Sequence, residues 1–148
     1  MTLVFFGPMG EEPGWRGFAL PRMLARWSPL RASVLLGMVW AVWHLPLFWI
    51  PGSAHASHGF GWFSLAAVSF SVIITWAFLG ANRVLLVPIL IHGSANILWP
   101  DLAPEMAVPG KLFPCVVVGL FLWAVATVLP GRVGWFARPV RDAEVIAA

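Results

Sequence analysis

Glu11-Glu12-Pro13-Gly14-Trp15-Arg16 sets two adjacent carboxylates and a guanidinium inside sequence that is otherwise nearly free of charge. From Ser33 to Asn82 there is no Asp, Glu, Lys or Arg, and only His44, His55 and His58 can titrate. A carboxylate pair beside such apolar sequence is costly to bury, so it is either solvated or functional. Glu12 and Arg16 are four apart with the acid on the N-terminal side, the favourable order for a helical ion pair. Arg16 is therefore expected to hold Glu12. Glu11, about 100° away around the helix, is expected to stay free. One carboxylate is anchored and one is available for chemistry. The same four-residue spacing puts His92 and Asn96 on one helix face, and Trp40 and His44 on another.

These residues need elements that bring them together. Met1 to Trp27 reads as one irregular helical segment, broken by Gly7-Pro8, Gly10 and Pro13-Gly14. Ser33–Ile50 and Phe60–Ala81 read as the second and third spans, the latter the most uniformly apolar. Asn82-Arg83 is a tight connection to a short fourth segment, Val84–Trp99, and Leu112–Leu129 is the fifth. The loops are Gly52–Gly61 and the Pro-rich Asp101–Lys111. At about 1.5 Å per residue, His44 lies roughly 17 Å into its helix and His92 roughly 12 Å into its own, so Glu11, His44 and His92 can meet near mid-depth. His55 and His58, in a Gly/Ser/His loop, read as exposed. Trp15 and Trp40 read as packing around the site, and Cys115 as a small apolar filler.

Composition agrees with this reading. Of 148 residues, 60% are hydrophobic and 10% charged, with ten Trp and eleven Phe, against roughly 25% charged in soluble domains. The expected fold is all-α, a multi-pass transmembrane helical bundle of about five membrane segments, the first short and broken. Ten residues precede Glu11, half of the ~20 that a spanning helix needs. The expected domain is therefore 1–131, lacking N-terminal helices, followed by a cytoplasmic tail, 132–148. The net charge of +3 comes from scattered arginines, which argues against nucleic-acid binding. Alternating sides put Arg22, Arg26, Arg31, Arg83, Arg132, Arg138 and Arg141 on one face of a cell membrane, which the positive-inside rule makes cytoplasmic. Lys111 falls on the other face, beside Asp101 and Glu105.

The motifs Glu11-Glu12-Pro-Gly-Trp-Arg16, Trp40-Ala-Val-Trp-His44 and His92-Gly-Ser-Ala-Asn96 resemble, in order, those of the CPBP family of intramembrane proteases. This is also called the CAAX protease and bacteriocin-processing (Abi, self-immunity) family. The similarity covers roughly residues 7 to 100. Trp40 stands where the family usually has Phe, a change of aromatic bulk expected to matter little.

The resemblance implies peptide-bond hydrolysis in or at the edge of the membrane, on a membrane-associated peptide or protein substrate amid membrane lipid. Glu11 would activate water, Arg16 would hold Glu12, and Asn96 would donate to the tetrahedral oxyanion. His44 and His92 would either bind a divalent metal such as zinc together with Glu11, or position the water and scissile carbonyl. There is no His-Glu-x-x-His, and a metal-free site with Glu as base is equally consistent. The rival class is a non-catalytic membrane immunity or scaffold protein using the same pocket. A rhomboid-type serine site is weak, because Gly93-Ser94 lies directly beside His92. A haem-binding His pair leaves Glu11, Glu12 and Arg16 unexplained.

Overall fold

A computed structural model describes residues 2–53, 55–56, 59–96 and 112–128, with side chains from Phe6 onward. The expected Asp101–Lys111 loop and the 132–148 tail, with their charged residues, lie outside these. All regular structure among the described residues is helical.

The first segment is irregular, as expected, and its irregularity is a change of helix type rather than a gap. Helix α1 (Thr2–Glu12) passes directly into a wide-turned π segment (Pro13–Ala19) and then into α2 (Leu20–Leu24). Pro13 has no N–H to donate, and its ring crowds the carbonyl one turn back. A looser turn accommodates both defects without ending the helix. The N–H of Leu20 accordingly bonds to the carbonyl of Trp15, five residues earlier.

Helix α3 (Pro29–Trp43) starts four residues before the expected boundary at Ser33. Ser28 is its cap, the Ser28 hydroxyl accepting from the Arg31 N–H at 3.5 Å, and Pro29 fits the first turn because that turn needs no N–H donor. Ser33 is then an interior residue whose hydroxyl donates to the Pro29 carbonyl at 2.7 Å. After His44 the chain tightens into a short 3₁₀ stretch, Leu45–Trp49. The remaining helices are α4 (Phe60–Gly80), α5 (Leu86–Asn96) and α6 (Phe113–Val128). Between α4 and α5, Asn82 and Arg83 both take left-handed φ angles, 51° and 62°. The Arg83 N–H bonds back to the Phe78 carbonyl and the Asn82 N–H to Leu79, so the orphan carbonyls of α4 are satisfied within the turn.

Helix α4 is central. It packs against α3, α5 and α6, while α1 lies on α5 and α2 on α3. Leu20, Leu24, Leu36 and Phe78 make one buried cluster where α2, α3 and α4 meet. Trp40, Ala41 and Ala67 make another below the site. The distribution of polarity is that of a membrane bundle. Glu12, Arg16, Ser71, Thr75 and His92 are buried, whereas Val42, Leu90, Leu122 and Trp123 are exposed. Two stretches, Pro29–Trp49 and Phe60–Gly80, are each 21 residues long and apolar enough to cross a membrane, and Phe113–Val128 is a shorter apolar helix. Helix α4, read as uniformly apolar, carries Ser69, Ser71 and Thr75 on its buried side.

The α3–α4 contact depends on a missing side chain. A Cβ on Gly37 would stand 2.7 Å from Val68 Cα and 3.0 Å from Ser71 Cβ, so the backbones can approach this closely only at glycine. Gly37→Ala is therefore expected to lower stability by about 1–3 kcal/mol, the usual cost of overpacking. Gly119→Ala, where no atom lies within 4 Å of the added methyl, should be neutral or gain up to about 1 kcal/mol of helix propensity. Thermal unfolding of the two variants in detergent checks both.

Candidate active site

The two adjacent glutamates have different surroundings, and the difference begins with helix geometry. Successive residues on a helix point about 100° apart, so Glu11 and Glu12 cannot share one environment. Glu12 turns into the bundle and is wholly buried. Its Oε1 accepts from Arg16 Nη1 at 2.9 Å and from His92 Nδ1 at 2.8 Å. Arg16, also wholly buried, donates a second bond from Nη2 to Ser71 Oγ at 3.3 Å, and its guanidinium carbon lies 5.3 Å from the centre of the Trp40 ring. The expected Glu12–Arg16 pair is therefore present, with His92 and Ser71 as further partners from α5 and α4.

This arrangement fixes the state of His92. A carboxylate oxygen can only accept, so the N–H of His92 is on Nδ1 and donates a hydrogen bond to Glu12. Nε2 is the ring's remaining polar atom. His44 is set the same way by a different acceptor, its Nδ1 donating to the Trp40 carbonyl at 2.9 Å. Both imidazoles thus have Nδ1 engaged with the protein and Nε2 left for a ligand.

Glu11 is expected to be free, and it is not. It is half-buried, and its Oε2 accepts from the Trp40 indole N–H at 2.9 Å and from the Trp15 indole N–H at 3.4 Å. The other oxygen, Oε1, is 3.6 Å from the point that a Cβ on Gly7 would occupy, and Asn96 Nδ2 is 3.9 Å from the same point. Gly7 therefore keeps open a space that both the carboxylate and the amide border. Trp40, expected only to pack, also lies edge-on to His92 with ring centres 5.0 Å apart and to His44 at 5.7 Å.

Glu11, Trp40, His44, His92 and Asn96 all line one cavity of about 840 Å³. The rest of its wall is mainly apolar, with Phe6 from α1, Phe63 and Phe70 from α4, and Phe113 and Leu120 from α6. A volume of this order accommodates several residues of an extended peptide or a long apolar group. Four of the six candidate residues reach the cavity. Glu12 and Arg16 stand behind it, holding His92.

His55 corrects a second expectation. It is half-buried and lines the cavity, its ring lying near-parallel to His44 at 5.8 Å and 5.2 Å from Phe63. His55 and Ala56, in the stretch read as the Gly52–Gly61 loop, have helical backbone, and two such residues are too few to give a periodic signal of the contact. The aromatic residues Phe48, Phe60 and Phe63 form the shelf that captures it. His58 lies outside the described residues.

The donors do not fit the zinc site considered from the sequence. Among the described residues no three His, Cys, Asp or Glu side chains gather as a metal-holding group. No step below passes through a metal.

Residues 1–98 match the family model described as type II CAAX prenyl endopeptidase Rce1-like. The chain is also 32% identical over 104 residues to CAAX prenyl protease 2 of Methanococcus maripaludis, an alignment covering 66% of this chain. It spans 38% of that relative's length.

The buried pair behind the cavity is directly testable. Removing one member of a buried ion pair strands the other charge, at a cost of about 3–5 kcal/mol. Arg16→Met and Glu12→Gln should each lose roughly that much in denaturant or thermal unfolding. The double variant should lose less than the sum of the two, because neither charge is then left alone. Additive losses would show that the two groups do not depend on each other.

Proposed function

The chain belongs to the Rce1-like family of type II CAAX prenyl endopeptidases, and from that premise we propose that it is an intramembrane endopeptidase whose water is activated by Glu11. The single observation that carries the reading is the carboxylate of Glu11 on the wall of a largely apolar cavity, with Oε2 occupied by indole donors and Oε1 bordering the space beside Gly7 that Asn96 also borders.

The chemistry follows from the atoms left available. A water between Glu11 Oε1 and the scissile carbonyl gives a proton to the carboxylate as its oxygen attacks the carbonyl carbon. His44 Nε2, its ring held by the Trp40 carbonyl, accepts the second water hydrogen and aims the attacking lone pair. The carbonyl oxygen becomes an oxyanion, and the amide N–H of Asn96 donates to it. One such donor is typically worth about 3 kcal/mol in the transition state. Collapse of the tetrahedral intermediate breaks the C–N bond, and the proton on Glu11 passes to the departing amine. Glu12 and Arg16 take no proton. They hold the His92 ring, whose Nε2 faces the substrate.

The substrate is membrane-associated. The relative's name points to proteins ending in a prenylated CAAX sequence, and an apolar cavity of this volume suits the lipid group or the aliphatic residues of such an end. Membrane lipid surrounds the bundle, which crosses the membrane more than once. Arg22, Arg26, Arg31 and Arg83 lie on the cytoplasmic side by the positive-inside rule. This side is where a prenylated cytoplasmic C-terminus would enter.

In proteoliposomes supplied with a farnesylated CAAX peptide, wild-type protein should release the C-terminal tripeptide. Glu11→Gln should reduce that rate by about 10²–10⁴-fold, the usual contribution of a general base, with unchanged thermal unfolding. An active Glu11→Gln variant would remove Glu11 from the proposed role.

A further inference from the structure

Trp40 occupies a position where the motif this chain resembles usually has phenylalanine, and aromatic bulk alone would make the two interchangeable. The geometry separates them. Only an indole has an N–H, and that of Trp40 reaches Glu11 Oε2 at 2.9 Å, the shorter of two bonds to the same oxygen. The ring is 6% exposed and is wedged between the two site histidines, with Phe70 stacked on it at 6.2 Å. A donor held this firmly cannot follow the carboxylate about, so the carboxylate must conform to it.

We infer that Trp40 is the positioning residue for Glu11, its indole N–H locking Oε2 so that Oε1 alone is left for the attacking water. The inference rests on the proposed role of Glu11 as the base. Charge-assisted bonds of this kind are among the stronger ones in proteins. Without it, the side chain of Glu11 has more rotamers to visit, and Oε2 competes with Oε1 for the water. Trp15 cannot substitute. Its N–H is 3.4 Å away, its ring is less buried, and it sits one turn along the same helix as Glu11, so it fixes the carboxylate only against its own backbone. Trp40 comes from α3, and it ties the carboxylate to the helix that also presents His44. Through its carbonyl, which holds His44 Nδ1, and its indole, which holds Glu11, the one residue sets the spacing of both groups that handle the water.

The test is Trp40→Phe, which keeps a six-membered ring in the same slot and removes only the donor and some bulk. Its kcat on the farnesylated CAAX peptide should fall roughly 10- to 100-fold, the range for losing a bond to a charged group, while KM stays within about twofold. Trp43→Phe is the control for ring size. It lies beside the same histidine, 5.0 Å between ring centres, is largely exposed, and should change kcat by less than about twofold.

A second measurement does not need the Trp40 variant to fold. In ¹⁵N-labelled protein, two of the ten indole N–H resonances, those of Trp15 and Trp40, should move upfield in Glu11→Ala. No moving resonance would overturn the inference. So would a Trp40→Phe enzyme with wild-type kcat in a background where Glu11→Gln is inactive. An active Glu11→Gln enzyme would instead overturn the proposed function itself.

Discussion

The fold is arranged around one buried ionic contact. Glu12 and Arg16 are taken completely out of solvent, and each alone would carry a desolvation penalty of several kcal/mol. In a bundle whose outer surface is apolar there is no water nearby to lower that cost. The pair is therefore tolerable only with hydrogen-bonding partners, and although Glu12 Oε2 and Arg16 Nε find none, the partners of the other atoms come from distant places in the chain. Ser71 is 55 residues from Arg16 and His92 is 80 from Glu12. Satisfying one short motif in the first helix thus fixes α4 and α5 relative to it. Gly37 belongs to the same constraint. It lets α3 press so closely on α4 that the α4 face carrying Ser71 is held in place.

The second consequence is chemical. Because Glu12 is consumed as an acceptor, His92 must present Nδ1 to it, and the orientation of the ring toward the cavity is settled without any contact to substrate. Because Glu11 is the next residue, the helix must turn it away from the ion pair. Two identical side chains in succession occupy two different surroundings, one inside the ion pair and one on the cavity wall. The π segment that follows is consistent with this division. A wide turn at Pro13–Ala19 keeps the helix continuous past a proline. It still returns Arg16 to Glu12 and Trp15 to Glu11 one turn on.

Much of this was legible in the sequence because it is local. Glu12 with Arg16, and His92 with Asn96, are spacing arguments within single helices. The meeting of Glu11, His44 and His92 follows from depth counting along apolar spans. What was illegible is tertiary. The acceptance of two indole bonds by Glu11 depends on α3 lying beside α1, which no periodicity in either helix reports. The hydrogen-bonding role of Trp40 is invisible to a scale that registers tryptophan as bulk. Ser71 and Thr75 looked like incidental polar residues in the most apolar span, and their four-residue spacing was the signal available. His55 had none, because its place is set by the aromatic shelf it meets and not by any pattern in the Gly/Ser/His stretch around it. The early start of α3 at Pro29 was readable from Ser28-Pro29, which serves as a helix cap rather than a turn between elements.

The proposed hydrolysis within an apolar bundle would place two opposed demands on neighbouring atoms. The ion pair needs water kept out, and a carboxylate acting as base would need one water let in. Burial of Glu12 beside partial exposure of Glu11 meets both across a single peptide bond. The boundary between the two regimes is the Trp40 ring. One face lies near the Arg16 guanidinium, its edge gives the N–H to Glu11, and the whole residue is almost fully buried. Keeping a large, rigid, hydrogen-bonding plane between a dry charge pair and a wet carboxylate is the condition under which both glutamates can do different work from adjacent positions.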